Sequence, residues 1–124
     1  MVAVPDSPDE DDPERALRSA RERCIGGLAG RLDGFEAMVR DIEAGRAAVS
    51  TVDQLAEDVH RLAGLAGMVG LPTVSERSRD LENILRDALP QFPDGPATRR
   101  ALDALRAARD ADLAAEPPDW VNRA

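Results

Sequence analysis

A single histidine, His60, stands among glycines in the middle of the chain. The segment 60–71 has the composition of a helix, yet Gly64 and Gly67 follow the histidine by four and seven positions. A glycine inside a helix lowers its stability by about 1 kcal/mol relative to alanine, so this pair lowers it by roughly 2 kcal/mol. Because residues three and four apart share a helix face, the imidazole has a patch without side chains beside it. A neutral imidazole is a good nucleophile near neutral pH, so the spacing indicates an accessible and reactive side chain.

The residues around His60 separate into two strips at helical spacing. A mostly polar strip holds Asp53, Glu57, His60, Gly64 and Gly67, and an apolar strip beside it holds Leu55, Val59, Leu62, Ala66 and Val69. The apolar strip is expected to face the core. His60 is about 100° around the helix from Val59, so we expect its ring at the flank of the core, where solvent reaches it.

The composition indicates one all-α domain. The chain has 124 residues, enough for one hydrophobic core and too few for two. Its apolar residues are mainly alanine, leucine and valine, with two phenylalanines, one tryptophan and no tyrosine. This composition favours helices over sheets.

Charge and cysteine content exclude several classes of function. The formal net charge is −8, so neither nucleic acid nor an anionic membrane surface is an expected partner. Cys24 is the only cysteine, so it cannot form an intramolecular disulfide or a cysteine-based metal cluster, and we expect it to pack as a small apolar residue. The sequence has no signal-like or membrane-spanning apolar run, which predicts a cytoplasmic protein.

The sequence also has no pattern for a metal or a nucleotide. One histidine with scattered carboxylates does not have metal-ligand spacing. No glycine-rich loop ending in a lysine is present to hold the phosphates of ATP. We therefore expect no metal site, no cofactor and no autophosphorylation.

The chain divides into two tails and a helical domain. Residues 1–12 are acidic and predict a disordered tail, residues 13–115 a helical bundle, and residues 116–124, after Pro117 and Pro118, a C-terminal tail. Gly26 and Gly27 are expected to break the first helical stretch, leaving a short N-terminal helix before a longer one. Further helices are predicted from Ser50 or Thr51 to near Gly70, over 73–89 and over 97–114. The resulting prediction is an antiparallel up-and-down four-helix bundle with a short extra N-terminal helix.

The turn near Leu71 is very short, so the helices on either side of it should form an antiparallel hairpin. Residues equidistant from the turn then come level with each other. This register is expected to place Glu82 beside His60, Arg79 near Gly64, and Arg86 near Glu57.

The segment His-x-Leu-x-Gly-x-Ala-Gly-x-x-Gly-Leu, with Leu81-Glu82 on the next helix, resembles the histidine phosphotransfer (Hpt) domain of two-component phosphorelays. The resemblance covers about residues 55–89. It implies that His60 is the phospho-acceptor and that Gly64 gives a receiver domain room to dock. The family commonly has a lysine three positions after the histidine, where this chain has Ala63. Arg61, Arg79 and Arg86 are the candidates to replace that lysine, and Glu82 is the candidate to orient the ring.

The resemblance implies a phosphocarrier, not an enzyme, that exchanges a phosphoryl group with receiver-domain aspartates. Its expected partners are a response-regulator receiver domain, a hybrid histidine kinase, or both, with Mg²⁺ on the receiver, and the expected oligomeric state is a monomer. Two other functions stay open: a helical module that binds a receiver or kinase without phosphotransfer, and, with less support, a bundle that binds a metal or small molecule.

Some of these residues also have purely structural explanations. Gly64 and Gly67 would allow close helix packing. Arg61 would form a solvated ion pair with Glu57, four positions earlier. Arg79 and Arg86 would be surface charges.

Overall fold

A computed structural model describes residues 12–123 of the chain. These residues form helix α1 (Pro13–Glu43), helix α2 (Val49–Met68), helix α3 (Pro72–Ala88), helix α4 (Gly95–Ala114) and a short 3-10 helix (Asp119–Asn122). No strand occurs among them, which confirms the all-α prediction. Each helix packs against the next in the chain, and α1 also packs against α4. The four helices therefore close into a bundle.

Helix α1 corrects the predicted start of the bundle. It runs without interruption for 31 residues, so the break at Gly26 and Gly27 was wrong and the short extra N-terminal helix is not confirmed. Both glycines are exposed, and a methyl group added to either would meet no atom within 4 Å. The same helix face buries Cys24 before the glycines and Leu28 after them. Packing on both sides of the pair therefore outweighs its weak helix propensity.

The core consists mainly of leucine and valine side chains. The apolar strip predicted on α2 is confirmed, because all five of its members are fully buried: Leu55, Val59, Leu62, Ala66 and Val69. Cys24 is buried in the same core, as expected. Helix α4 has one exception to its apolar spacing. The positions of Leu102, Leu105 and Ala108 predict a buried Leu113, but this leucine is 40% exposed, while its neighbour Asp112 is only 6% exposed.

Asp112 is buried because it caps another helix. Its carboxylate accepts hydrogen bonds from the backbone amides of Thr73, at 3.2 Å, and Val74, at 2.7 Å. These amides lie in the first turn of α3, where backbone donors have no partner within the helix. Leu71, at the N-cap position itself, offers no side-chain cap. The carboxylate from α4 therefore supplies the cap that α3 lacks locally.

The turn between α2 and α3 is contacted by Arg21 on α1 and by Pro118 after α4. Gly70 has φ of 79°, and the amide of Leu71 donates to the carbonyl of Ala66, which is the Schellman arrangement at a helix C-terminus. The buried guanidinium of Arg21 on α1 donates to the carbonyls of Val69, at 2.9 Å, and Gly70, at 2.8 Å. A side chain at Gly70 would also come within 2.6 Å of Pro118. The hairpin turn is thus a tightly packed point of the fold.

The described residues at both ends of the chain contact helix α1. The acidic tail predicted for residues 1–12 lies outside the described residues except for Asp12, whose side chain caps α1. Beyond α4, Arg18 donates to the carbonyl of Trp120, and Arg123 pairs with Glu14. The segment after Pro118 therefore lies along α1. Within residues 12–123, no helix is long and apolar enough to span a membrane.

Candidate functional site

The His60 side chain projects from α2 beside α3. It is 64% exposed, and its Nδ1 lies 2.9 Å and 3.1 Å from the two carboxylate oxygens of Glu82 on α3. A carboxylate only accepts hydrogen bonds, so Nδ1 carries the proton and donates it. In the neutral ring the lone pair then resides on Nε2. The hydrogen bond therefore leaves Nε2 as the ring nitrogen with a free lone pair.

Glu82 is an anion held in place by arginine. Its side chain is only 13% exposed, and it accepts a hydrogen bond of 2.7 Å from Nε of Arg86. Burial raises the pKa of Glu82, but the hydrogen bonds from Arg86 and His60 outweigh burial, so its pKa is lowered overall. Hydrogen bonds to Glu82 and Glu57 raise the pKa of Arg86. The carboxylate beside the ring is therefore charged at neutral pH.

The register predicted for the hairpin agrees with these contacts. Arg86 also donates to Glu57 at 3.0 Å, one turn from the His60 pair. Arg79 lines an open depression of about 340 Å³ together with His60, Ala63, Gly64, Glu82 and Asn83. Five of the eight residues that the sequence singled out thus lie around one depression, and Arg86 lies next to it, bound to Glu82.

The two glycines after His60 have different surroundings. A methyl group placed on Gly64 would meet no atom within 4 Å, so helix packing does not require a glycine there. A methyl group on Gly67 would lie 3.1 Å from the Ser75 hydroxyl oxygen of α3. That hydroxyl donates a 2.7 Å hydrogen bond to the carbonyl of Ala63. Gly67 therefore lets α3 approach α2 closely, whereas Gly64 leaves open surface beside the histidine.

Arg61 does not belong to the His60 depression. Its closest acidic partner is Asp58, at 3.7 Å, and not the Glu57 that its spacing suggested. It lines a different hollow between α1 and α2, together with Arg31 and Phe35. Ala63, in contrast, is 3% exposed and forms part of the depression wall. Of the three arginine candidates, only Arg79 and Arg86 therefore lie at the site.

Sequence reasoning missed Asn83 and Ser75. Asn83 follows Glu82 directly, and its amide side chain lines the depression. The register does place it near His60, but an asparagine on an exposed helix face carries no signal of its own. Ser75 contacts α2 through its hydroxyl, which only the paired backbones of the two helices reveal.

The site has the components for group transfer to a ring nitrogen. It combines an exposed imidazole with one free ring nitrogen, a half-buried carboxylate that can stabilise positive charge on the ring, and a bare glycine surface beside the ring. Among the described residues, no three histidine, cysteine or acidic side chains are grouped so that they could hold a metal ion.

Comparison with known proteins agrees with this geometry. The Hpt domain family matches residues 15–114, which contain the whole His60 site and nearly all of the four helices. Comparisons with curated proteins and with solved structures gave no significant match. Hpt domains are phosphocarriers, not enzymes, and they interact with receiver domains and histidine kinases in phosphorelays. The chain therefore belongs to the Hpt domain family, the histidine-containing phosphotransfer proteins of two-component signalling.

Proposed function

We propose that this protein carries a phosphoryl group on Nε2 of His60 and exchanges it with the aspartate of a receiver domain. The observation that supports this most directly is the hydrogen bond from Nδ1 of His60 to Glu82, with the ring itself 64% exposed. This bond orients the ring and leaves Nε2 as the nucleophile. The other helices of the bundle leave the ring of His60 accessible to a partner.

The transfer step needs little from this chain beyond the nucleophile. Nε2 attacks the phosphorus of the aspartyl phosphate in line, the P–N bond forms, and the P–O bond to aspartate breaks with the electron pair leaving on the carboxylate. The phosphorylated ring keeps its Nδ1 proton and carries a positive charge. The Glu82 carboxylate, whose pKa is lowered, stabilises that charge. Mg²⁺ chemistry is expected on the receiver side of the complex.

The reverse transfer uses the same contacts. A phosphorylated, positively charged imidazole is a good leaving group, so a second receiver aspartate can attack the phosphorus and release neutral His60. Proton gain or loss by the ring is not required, since the Nδ1 proton stays hydrogen-bonded to Glu82 throughout. One exposed ring can thus accept and donate.

The second candidate is a module that binds a receiver or kinase without phosphotransfer. Ala63 favours this alternative, because it stands where the family commonly has a lysine near the phosphoryl group. Both candidates use the open surface at Gly64, and they differ only in whether His60 becomes phosphorylated.

A labelling experiment separates the two. The protein is incubated with a phosphorylated receiver domain and Mg²⁺, and separately with ATP alone. For the phosphocarrier we expect an acid-labile, alkali-stable label in the first mixture and none in the second, because a P–N bond hydrolyses once its nitrogen is protonated. His60→Gln should abolish the label while keeping its helicity and melting temperature, since the ring is exposed. A receiver that binds the protein but never labels it would establish the binding module instead.

The monomeric state and the cytoplasmic location stay predictions. Gel filtration of the free protein with light scattering tests the first, and fractionation of the source cells tests the second.

A further inference from the structure

We infer that Arg79 is the residue of this chain that binds the phosphoryl group on His60, and that it takes the place of the lysine missing at Ala63. The inference rests on the proposed function and adds a second catalytic residue to it. Arg79 comes from the opposite helix of the hairpin. The positive charge therefore comes from α3, because α2 has only the methyl group of Ala63 at the position of the usual lysine.

The hairpin register places Arg79 level with Ala63. Glu82 lies opposite His60, and Ser75 lies opposite Gly67 and reaches the carbonyl of Ala63. Arg79 stands one helical turn from each of these two residues on α3, between the two contacts. Arg79 lines the same depression as the ring, Ala63 and Gly64, and it also lines the neighbouring hollow beside Gly67 and Ser75. The side chain therefore lies on the site side of the hairpin.

Charge pairing distinguishes Arg79 from the other arginines of the hairpin. Arg86 donates to both Glu82 and Glu57, Arg77 pairs with Glu76 and Asp80, and Arg61 pairs with Asp58. Within residues 12–123, Arg79 makes no hydrogen bond or ion pair. The charge of Arg86 is already shared between the carboxylates of Glu82 and Glu57, so a phosphoryl group would compete with both of them for it. Arg79 is available to an anion without the loss of any contact in the fold.

The space around Arg79 also fits this role. The small side chain of Ala63 leaves the depression of about 340 Å³ open beside the ring. One terminal nitrogen of Arg79 lies 3.8 Å from the position that a methyl group on Gly67 would take, so the side chain rests against bare helix backbone. The planar guanidinium can donate two parallel hydrogen bonds to phosphate oxygens. The depression is thus a pocket for the phosphoryl oxygens, with Arg79 at its edge.

The test compares variants in single-turnover transfer from a phosphorylated receiver and in the half-life of the isolated phosphoprotein. Arg79→Ala should reduce one or both by about three- to tenfold, as expected for one partly exposed charged hydrogen-bonding group. Arg79→Lys should keep most of the parent value. Arg100→Ala is the matched control, because Arg100 is an exposed arginine on α4 that also has no partner within residues 12–123.

Two further measurements separate direct phosphate binding from a structural effect. Phosphorus NMR of the phosphoprotein should show the second phosphoryl pKa higher in Arg79→Ala than in the parent, because a nearby cation favours the dianion. Adding Ala63→Lys to Arg79→Ala should restore transfer, since a lysine there would return the charge to the same depression.

The outcomes distinguish this inference from the proposed function. A parent protein without label, or with label kept in His60→Gln, would overturn both. A labelled parent with Arg79→Ala equal to Arg100→Ala in rate, half-life and phosphorus titration would overturn the role of Arg79 and leave the phosphocarrier standing. Slow transfer in Arg79→Ala with an unchanged titration and no rescue by lysine would also overturn it.

Discussion

The Nδ1 atom of His60 lies 2.9 Å from the Glu82 carboxylate, although the two residues are separated by 22 positions and belong to different helices. The contact depends on the hairpin register, because a shift of one turn would face the ring with Arg79 or Arg86 instead. A carboxylate in this place fixes the tautomer, and under the proposed function it would also stabilise the charged, phosphorylated ring. These two effects can be separated by substitution.

Glu82→Gln should keep the orientation of the ring and lose the charge. Its amide oxygen still accepts the Nδ1 proton, so we expect transfer to His60 to slow by a few fold. Glu82→Ala removes the hydrogen bond as well and should slow transfer by about tenfold or more, in line with the worth of a charge-assisted hydrogen bond. Single-turnover transfer rates of the parent, Glu82→Gln and Glu82→Ala test whether the rate falls in that order. Equal rates in the two variants would mean that charge, and not orientation, is the contribution of Glu82.

Gly64 should tolerate a side chain in the free protein and not in the complex. Gly64→Ala is expected to raise the free energy of unfolding by about 1 kcal/mol, because alanine is the better helix former and meets no neighbouring atom. Gly64→Leu should weaken receiver binding by about tenfold or more through a clash at the docking surface. Gly26→Leu is the matched control, since Gly26 is another exposed helical glycine with open space around it. Undiminished binding by Gly64→Leu would place the receiver elsewhere.

Gly67→Ala should differ from Gly64→Ala in stability. The added methyl group would lie 3.1 Å from the Ser75 hydroxyl, which must move and weaken its bond to the Ala63 carbonyl. We expect the gain of about 1 kcal/mol in helix propensity to be largely cancelled by this loss. A double-mutant cycle with Ser75→Ala measures the coupling, which should be clearly different from zero. Strict additivity would show that the two residues do not interact.

The stability of the bundle should fall in acid partly through Glu36. Hydrogen bonding to Arg99 on α4 is the main cause that lowers the pKa of Glu36 on α1 from 4.5 to about 2. A carboxyl group whose pKa is lower in the folded state stabilises the fold fully above its unfolded pKa, and this stabilisation is lost as the pH falls from about 4.5 toward about 2.

Glu36→Gln should therefore destabilise the protein by about 1 kcal/mol at pH 7 and have little effect near pH 2. Chemical denaturation at several pH values measures the difference. Asp33→Asn is the control, because the Asp33 side chain is 77% exposed in its ion pair with Arg106. A pH-independent difference between parent and Glu36→Gln would show that the Arg99 contact does not act through charge.

The parts of the fold that depend on local pattern could be predicted from the sequence. The buried strip of α2 follows from the spacing of its apolar residues, and the pairing of His60 with Glu82 follows from the short turn. The continuity of α1 could not be predicted in this way. The low helix propensity of Gly26 and Gly27 can be read from the local sequence, whereas the packing that overrides it depends on the other helices.

The remaining differences concern side chains whose partners lie elsewhere in the chain. Asp112 interrupts an apolar stripe, so its sequence position favoured Leu113 as the buried residue, and only the amides of α3 explain the reversal. Arg79 and Arg86 are equally plausible cations by spacing. They become distinguishable once the carboxylates around Arg86 are known.

The cap that Asp112 provides has a consequence for any attempt to shorten this protein. The first amides of α3 find their acceptor near the end of α4, so a peptide limited to the histidine hairpin would begin its second helix without this cap and would fray there. Amide hydrogen exchange at Thr73 and Val74 should consequently report whether α4 is docked, even though neither residue belongs to that helix. A fragment that keeps this cap on the helix carrying Glu82 must extend through Asp112.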